Sequence, residues 1–236
     1  LNTMKSEKEK NNLNSFFQKH VKEEYLILAL LMLFQVFLVL LSNSKLSGED
    51  DLFWYLSTGR YIVQTGNFPS TDVFGFTTTG TNWIPFEWFW DVINFSLFSA
   101  GGYFALSILS TLLILLIFYL LFQNLKKLKI NYFTMFILLI ILALGICLRM
   151  TVKPHLISYL SLVLILSILI NYRYIERNRY QLLYFIHFIF LFWVNMHMGV
   201  LSGLFLLVLF FCSEFLASVF PKYFSSQPAG SDNSSI

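Results

Sequence analysis

Four short stretches of this 236-residue sequence combine carboxyl, basic, imidazole or amide side chains that could form a site. The first holds three adjacent acids, Glu49, Asp50 and Asp51, which could supply a general base or the ligands of a divalent cation. In the third, Arg149 and Lys153 could hold a phosphate group. The candidate binding residues of the second, third and fourth stretches are Glu87, Asp91, Arg149, Lys153, His155, Asn195 and His197.

The composition places the elements that carry these groups in a membrane. Hydrophobic residues make up 57% of the chain and charged residues only 12%, whereas soluble domains carry about 25% charged residues. A soluble globular enzyme, a nucleic-acid-binding domain and a disordered protein are therefore excluded. The first expected partner is membrane lipid, and no nucleic-acid partner is expected.

Apolar runs predict six membrane-spanning helices, because about 20 apolar residues are needed to cross about 30 Å of hydrocarbon. The predicted spans are residues 25–41, 103–122, 132–148 and 156–170, with two more inside residues 181–220. Polar and glycine residues near Asn195 and His197 mark the turn of the last pair. The predicted fold class is thus an all-α integral membrane protein of about six spans, with one or two amphipathic surface helices in its first outer loop.

The distribution of basic residues predicts the orientation of these spans. With the N-terminus in the cytoplasm, all but four of the 16 Lys and Arg residues lie inside, as the positive-inside rule requires. We predict a cytoplasmic segment at 1–24, a transmembrane domain at 25–220 with an outer loop at 43–83, and a disordered cytoplasmic tail at 221–236. The four outer basic residues are Lys45, Arg60, Arg149 and Lys153.

The long outer loop is expected to hold a surface helix that begins at the acids and stops near Gly66. Its apolar face is predicted to contain Leu52, Tyr55, Leu56, Gly59, Ile62 and Val63, and its opposite face Asp50, Asp51, Trp54, Thr58 and Tyr61. Favourable capping of the helix N-terminus is a simpler explanation of the acids. A second helix is expected from Trp83, with Glu87, Asp91 and Asn94 on one face and its tryptophans at the membrane interface.

All three outer connections contribute polar groups to one membrane surface, which predicts a common pocket. We expect Asp50 or Asp51 to lie within water-bridged reach of Arg149, Lys153 or His155. The alternative is that the basic side chains reach outward to lipid phosphates.

Several segments between about Glu49 and Gly203 resemble a bacterial family of multispanning membrane proteins, and more widely the GT-C superfamily of glycosyltransferases. The segments that carry the resemblance are Asp51-Leu52-Phe53-Trp54-Tyr55-Leu56-Ser57-Thr58-Gly59-Arg60-Tyr61-Ile62, Pro69-Ser70-Thr71-Asp72-Val73-Phe74, Trp83-Ile84-Pro85-Phe86-Glu87-Trp88, Lys153-Pro154-His155-Leu156 and Trp193-Val194-Asn195-Met196-His197. The sequence departs from the family at Tyr55 and Phe86, where we expect histidine, at Val73, where we expect proline, and at Lys153, where we expect arginine.

The resemblance implies a glycosyltransferase, or its N-terminal catalytic-loop module, in the bacterial cytoplasmic membrane. Asp50 or Asp51 would activate an acceptor hydroxyl, and a polyprenyl-phosphate sugar would be the donor, its phosphate held by Arg149 and Lys153. A divalent cation, if one is used, would bind Glu49, Asp50 and Asp51. The alternative is a non-catalytic relative that packs with other subunits in a larger membrane complex.

Overall fold

Apolar helices account for most of the chain, as the sequence predicts. The computed structural model describes residues 24–43, 50–175 and 180–221. The predicted N-terminal segment, apart from Glu24, and the predicted C-terminal tail, apart from residue 221, lie outside these ranges, as do Lys45 and Glu49. The helices are α1 (Glu24–Asn43), α2 (Asp50–Thr65), α3 (Trp88–Lys127), α4 (Tyr132–Ile146), α5 (His155–Ile170), α6 (Tyr184–Val194) and α7 (Val200–Val219).

Apolar helices occupy all six predicted span positions. By length and composition, four of them could cross a membrane: α1, α3, α5 with the π-helical turn Asn171–Ile175 that follows it, and α7. The other two are shorter: α4 has 15 residues, and α6 has 11 preceded by the 3₁₀ turn Tyr180–Leu183. No β-strand occurs in the described ranges, apart from the isolated bridge between Thr71 and Asn82. The all-α membrane fold is therefore confirmed.

The second predicted span continues from the second outer-loop helix, with one break between them. Gly101 and Gly102 interrupt α3 with non-helical dihedral angles, and Gly102 has a φ of 58°. Only glycine adopts this left-handed region without cost. The break separates residues 88–100, which carry the polar face, from residues 103–127. The predicted start at Trp83 is wrong, because the Trp83 amide instead donates to the Ser70 carbonyl and closes a loop.

The loop before α3 is organised by Asp72. Its carboxylate accepts hydrogen bonds from the amides of Phe74 and Gly75 and from the hydroxyl of Thr78. These donors hold the pKa of Asp72 below its ordinary value, the Thr78 hydroxyl most of all. The loop thus brings the chain from α2 to the start of α3.

Helix α2 packs against the first part of α3, and this contact changes its predicted faces. Thr58, which we predicted on the face opposite the apolar one, is only 1% exposed. Val63, which we predicted on the apolar face, is 51% exposed. A Cβ on Gly59 would lie 2.1 Å from the Asp91 carbonyl oxygen. The two backbones cross so closely that only small side chains fit between them, and this requirement overrides the apolar periodicity.

Ion pairs join helix ends at the side of the bundle away from α2. Lys126 at the end of α3 contacts Glu24 of α1, which also accepts a hydrogen bond from Tyr132. Arg173 lies 2.6 Å from the carboxylate of Glu214 in α7. These contacts connect the helix ends that the topology prediction places in the cytoplasm.

Candidate functional site

The three connections predicted to share one membrane surface do meet in the structure. We call this surface the site face and define it by residues 50–65, 87–91, 149–155 and 193–199. Its central contact joins Lys153 Nζ to Asp51 Oδ2 at 3.0 Å. The predicted proximity of a first-loop acid to a basic residue of the α4–α5 connection is thereby confirmed.

The Asp51–Lys153 pair is open to solvent. The side chain of Asp51 is 57% exposed and that of Lys153 is 28% exposed. Ion pairs in such surroundings contribute only about 0–1 kcal/mol to stability. The pair therefore adds little to the stability of the fold.

Glu87, the residue that precedes α3, forms the second contact of the site face. Its Oε1 lies 3.6 Å from Nε2 of His197, and the two side chains are 25% and 24% exposed. Burial, and secondly the nearby charge of Asp51, raise the pKa of Glu87 to about 7. Glu87 therefore changes protonation state near neutral pH.

His197 is held from behind by a chain of hydrogen bonds. Its Nδ1 lies 2.6 Å from Ser158 Oγ and accepts a hydrogen bond from the Gly199 amide at 3.1 Å. Ser158 Oγ in turn accepts one from the indole of Trp193 at 2.8 Å. Since an amide N–H can only donate, Nδ1 carries no proton and the neutral ring carries its proton on Nε2, facing Glu87.

The surroundings of His197 keep the ring neutral. Burial, and secondly the neighbouring His155, lower the pKa of His197. The Nε2 atom of His155 itself lies 2.6 Å from the Arg149 carbonyl oxygen. The site face thus presents a neutral hydrogen-bond donor, His197, beside a carboxyl group that titrates near neutral pH.

Asn195 fixes the α6–α7 connection to the start of α3. Its side-chain oxygen accepts a hydrogen bond from the indole of Trp88 at 3.0 Å, and its side-chain amide donates to the Leu191 carbonyl. Its backbone carbonyl accepts from the Phe89 amide at 3.3 Å. Asn195 therefore has a positioning part in this arrangement, in addition to the substrate-binding part that we predicted.

The polar face of α3 continues inward from Glu87, as predicted. Asp91 is 5% exposed and Asn94 is fully buried; one oxygen of each side chain has no hydrogen-bond partner among the described residues. Trp90 is also buried, at 1% exposure, so its predicted place at the membrane interface is wrong. Trp90 belongs to the same buried apolar cluster as Leu52 of α2, so it packs inside the protein.

The remaining predicted site residues are Arg149, Glu49 and Asp50. The side chain of Arg149 is exposed. Glu49 and the side chain of Asp50 lie outside the described part of the structure. Within that part, no group of three or more His, Cys, Asp or Glu side chains could hold a metal ion.

Three residues that hold His197 in place were not predicted as site residues: Ser158, Trp193 and Gly199. A Cβ on Gly199 would lie 2.3 Å from Ser158 Oγ and 2.6 Å from His197 Nδ1, so glycine is required there. Ser158 follows His155 by three residues on α5, and this helical spacing was the available signal.

Comparison with known proteins adds no relative. No protein-family model, curated protein or solved structure matches the chain.

Proposed function

We propose that the protein is a GT-C-like membrane glycosyltransferase, or the catalytic-loop module of one, that uses a polyprenyl-phosphate sugar at the site face. The observation that carries this proposal is the 3.0 Å contact between Asp51 and Lys153. It pairs a solvent-accessible carboxylate with an ammonium group at one end of a bundle of apolar helices. A lipid-linked phosphate reaches such a place with its chain still in the membrane.

Each half of the pair has a part in glycosyl transfer. The Lys153 ammonium group binds the donor phosphate as a point charge and stabilises the negative charge that this phosphate gains when its bond to the sugar breaks. Arg149, whose side chain is exposed at the edge of the site face, binds the same phosphate. The carboxylates activate the acceptor hydroxyl as general bases, a part that the resemblance assigns to Asp50 or Asp51.

The rival proposal is a non-catalytic subunit of a larger membrane complex. The observation that favours it is the outward face of the last helix: only 6% of the most apolar window of α7 is buried. Partner helices would cover that face in a complex. Lipid tails cover it equally well in a single chain, so we place this function second.

Release of polyprenyl phosphate tests the enzyme proposal without knowledge of the acceptor. We expect purified protein in nanodiscs, given a panel of polyprenyl-phosphate sugars and a membrane extract as acceptor source, to release polyprenyl phosphate from at least one donor. The Asp50→Asn, Asp51→Asn double variant should lose at least about 100-fold of that rate, the range expected for a general base.

Two controls accompany this assay. Ser96→Ala, an exposed change on α3 outside the site face, should leave the rate unchanged. Lys153→Arg should retain most of it, because arginine also binds phosphate. Full activity in the double variant would contradict the catalytic proposal, and a stoichiometric protein partner that copurifies with an inactive chain would favour the subunit.

A further inference from the structure

We propose that Glu87 is the carboxyl group that holds the proton released at this site, and that Ser158, Trp193 and Gly199 are positioning residues that act through His197. The inference rests on the proposed function for the origin of the proton. It assigns a division of work between two carboxyl groups: Asp51 contacts Lys153, and Glu87 stores the proton.

The geometry gives Glu87 a neutral donor as its neighbour. The Nδ1 atom of His197 accepts from the Gly199 amide and lies 2.6 Å from Ser158 Oγ. Adding a proton to Nδ1 would break the contact with the Gly199 amide and would require the Ser158 hydroxyl to turn from donor to acceptor. Nε2 therefore carries the proton of the neutral ring, 3.6 Å from Glu87 Oε1, and the charge of this pair of side chains depends on the protonation of Glu87.

Two neighbouring acids favour the protonated form of Glu87. Asp51, from α2, raises the proton affinity of Glu87 by its negative charge, and Asp91 on α3 lies close enough to interact with Glu87. Lys153 is paired with Asp51, and His155 on α5 opposes a positive charge on His197. A proton shared by these carboxyl groups rests on the buried acids rather than on the exposed Asp51. Of the two buried acids, Glu87 is the one that a proton from the site can reach, because its side chain is 25% exposed whereas Asp91 is 5% exposed.

The proton balance of the transfer step is then complete. The acceptor O–H bond breaks and its proton passes, directly or by way of Asp51, to the Glu87 carboxylate. The acceptor oxygen forms a bond to the anomeric carbon of the sugar. The bond between that carbon and the phosphate oxygen breaks, and its electron pair leaves with polyprenyl phosphate, which needs no proton.

Carbodiimide labelling tests the inference in the absence of any sugar. Dicyclohexylcarbodiimide reacts with protonated carboxyl groups in apolar surroundings, and peptide mass spectrometry locates the adduct. Labelling of Glu87 in the intact purified protein should fall with rising pH, with a midpoint near pH 7. The Asp51→Asn variant should show a midpoint lower by about one pH unit, because the raising charge is removed.

The positioning residues are tested by a matched pair of serine variants on α5. In Ser158→Ala, His197 loses one contact to Nδ1 and binds a second proton more readily, and the resulting cation should move the Glu87 midpoint to lower pH. Ser161→Ala removes another buried serine one turn further along and should leave the midpoint unchanged. Equal midpoints in the two folded variants would overturn the part given to Ser158.

A measurement on the unmodified protein keeps the inference testable should Ser158→Ala fail to fold. In ¹⁵N NMR spectra of histidine-labelled protein, assigned with His197→Gln, Nδ1 of His197 should resonate as an unprotonated ring nitrogen at pH 7. A protonated Nδ1 would overturn the assignment. Glycan transfer that persists while Glu87 resists labelling from pH 5 to 9 would overturn this inference alone, whereas labelled Glu87 in an inactive protein would overturn only the proposed function.

Discussion

Glu87 and Asp51 are both acids of the site face, and their surroundings give them different chemistry. Asp51 is more than half exposed and has an ammonium group at 3.0 Å. Glu87 is three-quarters buried and faces a neutral imidazole and another acid. A buried carboxyl group without a cation prefers its protonated form, and an exposed one beside a cation does not.

The raised pKa of Glu87 predicts a pH-dependent effect of Glu87→Gln on stability. An acid with an ordinary pKa of 4.5 and a folded-state pKa of about 7 binds more protons when folded, so it weakens the fold as pH rises through that interval. Below pH 4.5 the variant and the wild type should unfold at the same temperature. Above pH 7 the variant should be more stable, by about 3 kcal/mol.

Thermal unfolding in one detergent at pH 4, 5, 6, 7 and 8 measures this difference. Asp72→Asn provides the opposite control. The pKa of Asp72 is lowered in the folded state, so that variant should lose stability at every pH where the carboxylate is charged. A Glu87→Gln advantage that does not grow with pH would show that Glu87 is charged at pH 5.

At the scale of the residue, the sequence predicted which side chains meet but only part of what they do. The acids and bases could be assigned to one surface because span counting fixes which connections share a side. The hydrogen bonds from Ser158 and Gly199 to His197 could not be predicted, since they depend on the rotation of α5 and on the conformation of the α6–α7 connection. No single-sequence pattern reports either.

At the scale of the element, the crossing of α2 and α3 positions the acids. Gly59 meets the Asp91 backbone, and Thr58 is buried beside it. This crossing brings Asp51, at the start of α2, to the side of α3 that carries Glu87. The site face therefore depends on Gly59 and Thr58, neither of which was predicted as a site residue.

Gly59→Ala should destabilise the protein, because its Cβ would lie 2.1 Å from a backbone oxygen that cannot rotate away. We expect a loss of about 1–3 kcal/mol, typical of an overpacked contact. Thermal unfolding should be compared with that of Gly145→Ala in α4, the same change where the added Cβ meets nothing within 4 Å. A Gly59→Ala variant as stable as Gly145→Ala would mean that the helices do not cross this closely.

The elements themselves were largely predictable. Hydrophobic runs located the apolar helices because a chain in lipid must satisfy its own backbone hydrogen bonds. The apolar periodicity located α2 but assigned Thr58 and Val63 to the wrong faces. The close contact with α3 requires small side chains, whether they are polar or apolar. The break at Gly101–Gly102 also escaped prediction, because glycine pairs occur in unbroken helices as well.

At the scale of the whole molecule, the proposal places the site face outside the cell and both termini in the cytoplasm. Cysteine labelling of intact cells tests this orientation in a background that lacks Cys147 and Cys212. A cysteine at Ser70, in the loop before α3, should react with a membrane-impermeant maleimide, and one at Ser225 should react only after permeabilisation. Labelling of the Ser225 position from outside would reverse the topology.

The central claim is that the site face binds a lipid-linked phosphate through Lys153. The most direct test is the lipid that copurifies with the chain, because it requires neither a known acceptor nor a turnover assay. Lys126→Ala serves as the matched control, since Lys126 also forms an ion pair with an acid but lies at the other side of the bundle.

Lipids should be extracted from wild type, Lys126→Ala and Lys153→Ala purified in the same detergent, and polyprenyl phosphates measured by mass spectrometry relative to total phospholipid. We predict that wild type and Lys126→Ala retain polyprenyl phosphate and that Lys153→Ala loses about tenfold or more, which corresponds to about 1.4 kcal/mol of binding free energy. Equal polyprenyl phosphate in all three proteins, or none in the wild type, would contradict the account.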